Sequence, residues 1–289
     1  ILHYRNASVP ETSGLSLPRE NIGEVRSWGY EGSVSWFDQA NSDFSYGATF
    51  NLSYATNEIK YWDEPPGAPE WQRSTGHPMN TGLYYRSIGV FESWEDVENY
   101  PSWPGARPGD IIFEDVNGDG IIDANDRVRI DKTGLPKWTA GPHLNANYKS
   151  FDLSLFLQGA AGAAQYVFSR SGELGNFFQE FAERRWTPDN PNPNHPRTFN
   201  RTEDYWGNNN NTYFLRDADF IRLKNVEIGY YLPVRISSRL GLQRMRVYAN
   251  GMNLLTWDTL KIMDPEARNA TANYYPQKKV VNFGLSITF

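Results

Sequence analysis

The sequence predicts an all-β fold, a transmembrane antiparallel β-barrel whose strands alternate one apolar with one polar residue. Three observations predict it. The alternation recurs in well-separated segments, the connections between them run alternately short and long, and no apolar run approaches the ~20 residues a membrane-spanning helix needs. A hydrophobic fraction of 39% and a mean hydropathy of −0.64 exclude a helical membrane protein. They do not exclude a barrel, because only every second residue of a barrel strand faces lipid.

Residues 1–5 read as the tail of a first strand. In the second, Trp28, Tyr30, Val34 and Trp36 alternate with Gly29, Glu31, Ser33 and Ser35. In the third, Phe44, Tyr46, Ala48, Phe50, Leu52 and Tyr54 form one face, with Ser45, Gly47, Thr49, Asn51 and Ser53 opposite. The fourth is weaker: Trp138, Ala140, Leu144, Ala146 and Tyr148 against Thr139, His143, Asn145, Asn147 and Lys149. Phe151, Leu153, Leu155 and Leu157 make the fifth, opposite Asp152, Ser154 and Gln158. In the sixth, 220–232, the phase slips: Ile221 and Leu223 belong to one register, Val226, Ile228 and Tyr230 to the other, which predicts a bulge near Lys224 and Asn225. Met245, Val247 and Ala249 mark the seventh strand. The eighth carries Val281, Phe283, Leu285, Ile287 and Phe289 against Asn282, Gly284, Ser286 and Thr288.

The links after the second, fourth and sixth strands are short, at 38–42, 149–150 and 233–242. Those after the first, third, fifth and seventh are long, at 6–21, 57–137, 164–219 and 257–278. Strict alternation puts all long loops on one side, as in outer-membrane barrels with short periplasmic turns and long extracellular loops, and puts the C-terminus on the periplasmic side. Trp36, Phe37, Phe44, Tyr148, Phe151, Tyr230, Tyr231 and Phe289 cluster near the short turns, where an interfacial aromatic girdle sits. Asn51, Asn145, Asn147, Gln158 and Asn282 then fall on the lumen side.

The sharpest chemical motif is 115–126. Asp115, Asn117, Asp119, Asp123 and Asp126 place oxygen donors at positions 1, 3, 5, 9 and 12 of a calcium loop, Ile121 offers its carbonyl at position 7, and Gly120 permits the turn at position 6. Asp126 stands where such loops usually have Glu, and its shorter arm reduces bidentate reach. The alternative is a hairpin tip built from Asn-Gly and Asp-Gly turns without metal.

Several long segments resemble, in order, the C-terminal part of SusC/RagA-family TonB-linked outer-membrane transporters. They are Asn21-Ile-Gly-Glu-Val-Arg-Ser-Trp-Gly-Tyr-Glu31, Gly109-Asp-Ile-Ile-Phe-Glu-Asp-Val-Asn-Gly-Asp-Gly-Ile-Ile-Asp123, Phe151-Asp-Leu-Ser-Leu-Phe-Leu-Gln-Gly159, Phe220-Ile-Arg-Leu-Lys-Asn-Val-Glu-Ile-Gly-Tyr-Tyr-Leu-Pro233, Arg246-Val-Tyr-Ala-Asn-Gly-Met-Asn-Leu-Leu255 and the last strand. The resemblance implies the final eight strands of a 22-stranded barrel in the outer membrane of a Gram-negative bacterium. It further implies an N-terminal barrel and plug part of the same transporter, TonB contact through that plug, and a SusD-like surface lipoprotein as lid. The imported substrate would be a glycan or peptide, with energy drawn through TonB. On that likeness 1–289 is the C-terminal portion of one barrel domain within a larger protein. Segment 57–137 is an extracellular loop carrying the calcium loop, and 164–219 is another carrying a short helix. Barrel wall and rim, in contact with outer-membrane lipid, are the expected contribution.

Other features are less specific. Leu174, Phe177, Phe178 and Phe181 are spaced as one helix face, followed by Arg184, Arg185 and Trp186; this face either packs on neighbouring loops, or caps substrate or docks the lid. Trp71, Trp94, Trp103, Trp186 and Trp206 read as exposed ring-stacking or loop-anchoring residues. The stretches 190–196 and 208–211 read as irregular surface loop. His3, His77, His143 and His195 lack metal or triad spacing, the acidic pairs Glu95-Asp96 and Glu203-Asp204 have no evident partner, and no enzyme signature is present. A net charge of −6 argues against a nucleic-acid groove, and zero Cys excludes disulfides. Two further classes compete: a self-contained small outer-membrane barrel, and a calcium-stabilised glycan-binding β-domain.

Overall fold

The computed structural model describes residues 2–4, 14, 19–168, 178–198, 205–267, 275 and 277–289. In chain order the strands are β1 (Leu2–Tyr4), β2 (Arg19–Asn21), β3 (Glu24–Asn41), β4 (Phe44–Tyr61), β5 (Gly82–Tyr85), β6 (Ser87–Val90), β7 (Ile111–Phe113), β8 (Arg127–Ile130), β9 (Trp138–Ala140), β10 (His143–Tyr148), β11 (Phe151–Ala161), β12 (Ala164–Tyr166), β13 (Leu215–Asp217), β14 (Phe220–Tyr231), β15 (Arg244–Asp258) and β16 (Val280–Thr288). Short helices are α1 (Trp94–Asn99), α2 (Gln179–Arg184), α3 (Tyr205–Asn208) and α4 (Val234–Arg239).

One antiparallel sheet dominates: β3 pairs β4, β4 pairs β9 and β10, these pair β11, and β14, β15 and β16 follow. β9 and β10 are one strand in two pieces. Ala140 lies opposite Leu52 and Leu144 opposite Ala48, so the register runs unbroken across Gly141 and Pro142. Pro142 interrupts the ladder because it has no N–H to donate. The sheet among the described residues therefore has seven spanning strands, where eight were expected. The expected first strand pairs instead with β2 in a separate two-stranded ladder, Leu2 opposite Asn21, just ahead of β3.

Register sorts the side chains by face. One row runs Trp36, Ala48, Leu144, Leu155, Val226, Gly251, Val281, and the next Tyr46, Ala146, Leu153, Ile228, Ala249, Phe283. A third, beside the short turns, runs Phe44, Tyr148, Phe151, Tyr230, Val247, Leu285. The interleaved rows are polar or small: Gly47, Asn145, Ser154, Glu227, Asn250, Asn282, then Ser45, Asn147, Asp152, Gly229, Tyr248, Gly284. The apolar face is left bare, with Phe283 83%, Val34 72% and Trp36 62% exposed. A continuous exposed apolar surface of this extent is unstable in water and needs lipid or protein against it.

The bulge falls where the phase slip predicts. Phe156 pairs Asn225 while Leu157 pairs Leu223, leaving Lys224 as the extra residue on β14. Against β15 the extra residue lies on the other strand, at Asn253–Leu254, with Asn253 at φ 53°. The turns at 42–43 and 149–150 are tight, Lys149 adopting φ 52°. The third short link holds α4, which alternation alone does not reveal.

Two aromatics assigned to the girdle lie on the polar face. The Phe37 ring covers Gly47, 2.5 Å from where a Cβ would stand, and Tyr231 lies under the Arg244 guanidinium at 4.0 Å. Both sit one residue out of phase with the apolar row, beside Trp36 and Tyr230.

Candidate functional site

The polar face and the long loops enclose a cleft of about 1260 Å³, lined among others by Asn51, Gln158, Tyr84, Lys132, Gln165 and Glu266. Its floor is the barrel wall. Asn51 donates to the Gly141 carbonyl at 3.4 Å, His143 and Ser154 bond at 3.0 Å, and Asn282 donates to Asn250 at 2.9 Å. All five Asn and Gln residues expected on the lumen side lie on this face. Nearer the short turns Arg246 bonds Asp152 and, at 2.7 Å, Glu227. Facing side chains fill the space over the glycines: a Cβ on Gly229 would collide with Arg246 and Asp152, and one on Gly284 with the Tyr248 ring. Glycine is required there by close approach across the ladder.

The chain after β15 closes part of the cleft. Arg222, 2% exposed, holds both Asp264 oxygens at 2.9 and 3.0 Å and also bonds Glu266 and Gln277 (2.6 Å). Gln158 donates to Glu266 at 3.2 Å and Gln165 to the Pro265 carbonyl at 2.6 Å. A planar fork serving two carboxylates in a desolvated setting is the task Arg performs and Lys cannot. Sequence reasoning missed this cluster. Its signal was an Arg on the lumen phase of β14 beyond the bulge, with two acids at 264 and 266.

The loops form the roof, and they share one core. Tyr85, Phe91, Trp103, Ile111, Phe113, Trp206 and Phe214 are buried together, and Tyr85 bridges to Asn211, joining loop 62–137 to loop 162–219. This corrects two expectations. Trp103 (5% exposed) and Trp206 (1%) are core residues; Trp71 and Trp186 are half-buried, and only Trp94 of the five is exposed. Asn211, expected in surface loop, is buried, its amide donating to the Trp206 and Asn209 carbonyls at 2.9 Å. Trp206 Nε1 donates to Asp110 at 2.8 Å and Arg197 pairs with the same carboxylate at 2.7 Å. The loops bury aromatics because segments of this length hold a fixed shape only around a core of their own.

Phe181, on α2, packs against Phe214 and Tyr213, with Arg216 over its ring at 5.3 Å, the packing alternative foreseen for this stripe. Leu174, Phe177, Glu203 and Asp204 lie outside the described residues. Asp96 is an N-cap partner: its carboxylate accepts from the Glu92 and Ser93 amides at 3.0 and 2.9 Å, and the Ser93 bonds hold its pKa below the usual carboxylate range. His195 meets the Tyr213 hydroxyl at 3.0 Å, and burial lowers its pKa.

The acidic loop lies between β7 and β8, which pair with β6 and β5 respectively, so it is not the tip of a simple hairpin. Asp115 accepts from the Gly118 and Gly120 amides at 2.8 and 2.9 Å, Asn117 from Asp119 at 3.1 Å, and Asp119 from Ile121 at 2.9 Å. Gly118 and Gly120 have φ 73° and 80°. Asp123 caps the turn that follows. Asp126, fully buried, takes the Val116 and Asp123 amides on its two oxygens. Asp115, Asn117, Asp119, Asp123 and Asp126 are all oxygen donors of the hard type calcium favours, and each accepts backbone amides in the loop. Among the described residues no three acidic or imidazole groups converge into a ready cluster.

Comparison with known proteins adds the larger context. No family model matches the chain. It is 31% identical over 293 residues to TonB-dependent receptor P3 of Formosa agariphila, an alignment covering 96% of this chain and 28% of that receptor. It is 24% identical to TonB-dependent receptor SusC of Bacteroides thetaiotaomicron over 93% of this chain and 27% of that protein. Among solved structures, the RagAB peptide importer in its open-open state superposes with a TM-score of 0.68 at 23% identity, covering 100% of this chain and 31% of that one. A further RagAB peptide transporter structure gives 0.67 at 24% identity. The chain thus spans less than a third of the length of the receptors it matches. Consistent with that share, neither β3 nor β16 has a second ladder partner among the described residues, whereas a barrel closing on these strands alone would pair them.

Proposed function

The chain belongs to the family of SusC-like TonB-dependent receptors, and from that premise we propose that the protein containing it imports oligosaccharides or peptides across the outer membrane. This segment supplies the last part of the barrel wall, and its fused loops supply extracellular rim. The polar cleft is the lower boundary of the substrate path. The remaining barrel strands, the plug that contacts TonB and a SusD-like lipoprotein lid belong to the assembled transporter. The observation that carries this reading is the alignment through 96% of the chain to a TonB-dependent receptor. The test is uptake by cells carrying the full-length gene or its deletion, supplied in turn with oligosaccharides and peptides, with native mass spectrometry of the extracted complex. Energy-dependent uptake lost on deletion, and a co-migrating lipoprotein, support the reading. Unchanged uptake of every substrate, with the protein extracting alone, overturns it.

We propose further that segment 115–126 binds calcium, with Asp115, Asn117, Asp119, Asp123 and Asp126 giving side-chain oxygens and Ile121 its carbonyl. The regular series of oxygen donors around two left-handed glycines supports it. Calcium is expected to raise the thermal midpoint of the full-length protein by a few degrees, and Asp115→Asn with Asp119→Asn to abolish that rise. An equal response in the double variant would leave the segment a metal-free turn.

A further inference from the structure

The short link between β14 and β15 carries charge and apolar surface that neither the barrel wall nor the cleft uses. No acidic residue lies between Glu227 and Asp258, while Arg235, Arg239, Arg244 and Arg246 do. Arg246 is engaged by Asp152 and Glu227, and Arg244 stacks on Tyr231. Arg235 and Arg239 are exposed, with no acidic partner among the described residues. On the same element Val234 is 71%, Ile236 47% and Leu240 61% exposed, while Ser237 is buried and fixes which side of α4 meets the barrel end. Ile236 and Leu240 are four residues apart, as are Arg235 and Arg239, so an apolar and a cationic stripe lie side by side.

Position says what covers them. Tyr230 belongs to the aromatic row next to the short turns, its ring 4.7 Å from Phe151, and the Tyr231 amide donates to Ser150 at 2.8 Å. The helix begins at Val234, four positions after Tyr230. Its exposed apolar residues therefore lie at the level where a barrel wall passes from acyl chains to headgroups.

We propose that α4 and Leu240 lie in the headgroup layer of the leaflet on the short-turn side, Ile236 and Leu240 dipping toward acyl chains while Arg235 and Arg239 bind phospholipid phosphates. The partner is an anionic phospholipid such as phosphatidylglycerol. An apolar stripe beside arginines is the arrangement that holds a helix in an interface, since the long side chains reach phosphate while their stems stay in apolar surroundings. The proposal rests on the apolar rows facing lipid.

The test uses the full-length transporter with its other cysteines replaced, in nanodiscs of phosphatidylethanolamine and phosphatidylglycerol. A fluorophore is placed at Leu240→Cys, and, as control for the wall, at Val281→Cys, two rows deeper on the apolar face. The expected result is strong quenching at 240 by headgroup nitroxide lipid with weak quenching by acrylamide, and quenching at 281 by acyl-chain nitroxide. In native mass spectrometry, Arg235→Glu with Arg239→Glu is expected to retain at least fivefold less phosphatidylglycerol, and the double Lys variant to retain it. Three outcomes overturn the proposal: full acrylamide access at 240, shielding at 240 from both quenchers, which assigns the stripe to protein, or unchanged lipid retention. Failure of the 281 control overturns the barrel-wall reading itself and this inference with it.

Discussion

Arg222 on β14 grips Asp264, a residue 42 positions later, its Nη2 donating to both carboxylate oxygens at 2.9 and 3.0 Å beside the cleft. The pair ties the connection between β15 and β16 to the polar wall, and Glu266 and Gln277 join it. Because Arg222 is 2% exposed and Asp264 12%, removing the cation strands two carboxylates in a setting that solvates them poorly.

Arg222→Met is accordingly expected to release this connection at a cost of about 3 kcal/mol. Trypsin cleavage at Lys261 and Lys278 should accelerate many-fold while the barrel stays folded, and conductance of the full-length protein in planar bilayers should rise. Arg222→Lys should show an intermediate effect, because Lys lacks the fork. Unchanged cleavage in both variants would show that the connection is held elsewhere.

Gly284→Val places a side chain where the Tyr248 ring lies, and Gly229→Val one where Arg246 and Asp152 meet. Overpacking of this kind costs about 1–3 kcal/mol. Both variants should lower the yield of heat-modifiable, folded protein on gels, whereas Gly32→Ala, with open space around its position, should fold as the parent does.

Trp206→Ala removes a fully buried ring and one of the partners of Asp110, which predicts a loss of about 3–5 kcal/mol from the loop core. The loss should be local. Hydrogen exchange is expected to rise in 85–113 and 211–218 and stay unchanged in β14, β15 and β16; a uniform rise would mean that loops and sheet unfold as one unit.

The loops should also weaken in mild acid. Burial holds the His195 pKa below its ordinary 6.5, so the unfolded segment binds its proton first as pH falls. The stabilisation is full above 6.5 and is lost progressively as pH falls from there toward the folded pKa. Protection factors around Tyr213 and Phe181, corrected for the intrinsic pH dependence of amide exchange, should therefore fall as pH drops below 6.5, and His195→Gln should flatten that dependence.

Much of the sheet was legible because its information is local. Period-2 alternation, tight turn residues and the slip at Lys224 are written along single strands, and a one-residue error in register would move every apolar side chain to the wrong face. The lumen positions of Asn51, Asn145, Asn147, Gln158 and Asn282 followed from the same parity. Phe37 and Tyr231 lie beside turns, where girdle aromatics are expected, but their phase puts them on the polar face. The α4 helix stayed hidden inside a link judged only by its length.

What the sequence by itself determined is the alternating wall, its strand order, its bulge and the spacing of the acidic loop, all set by backbone geometry over a few neighbouring residues. The tertiary structure alone decided that Trp103, Trp206 and Asn211 are core rather than surface, that two long loops share one body, and that Arg222 meets Asp264. Those contacts join residues tens to more than a hundred positions apart, so their energy depends on which surfaces the fold brings together, and no local pattern records it.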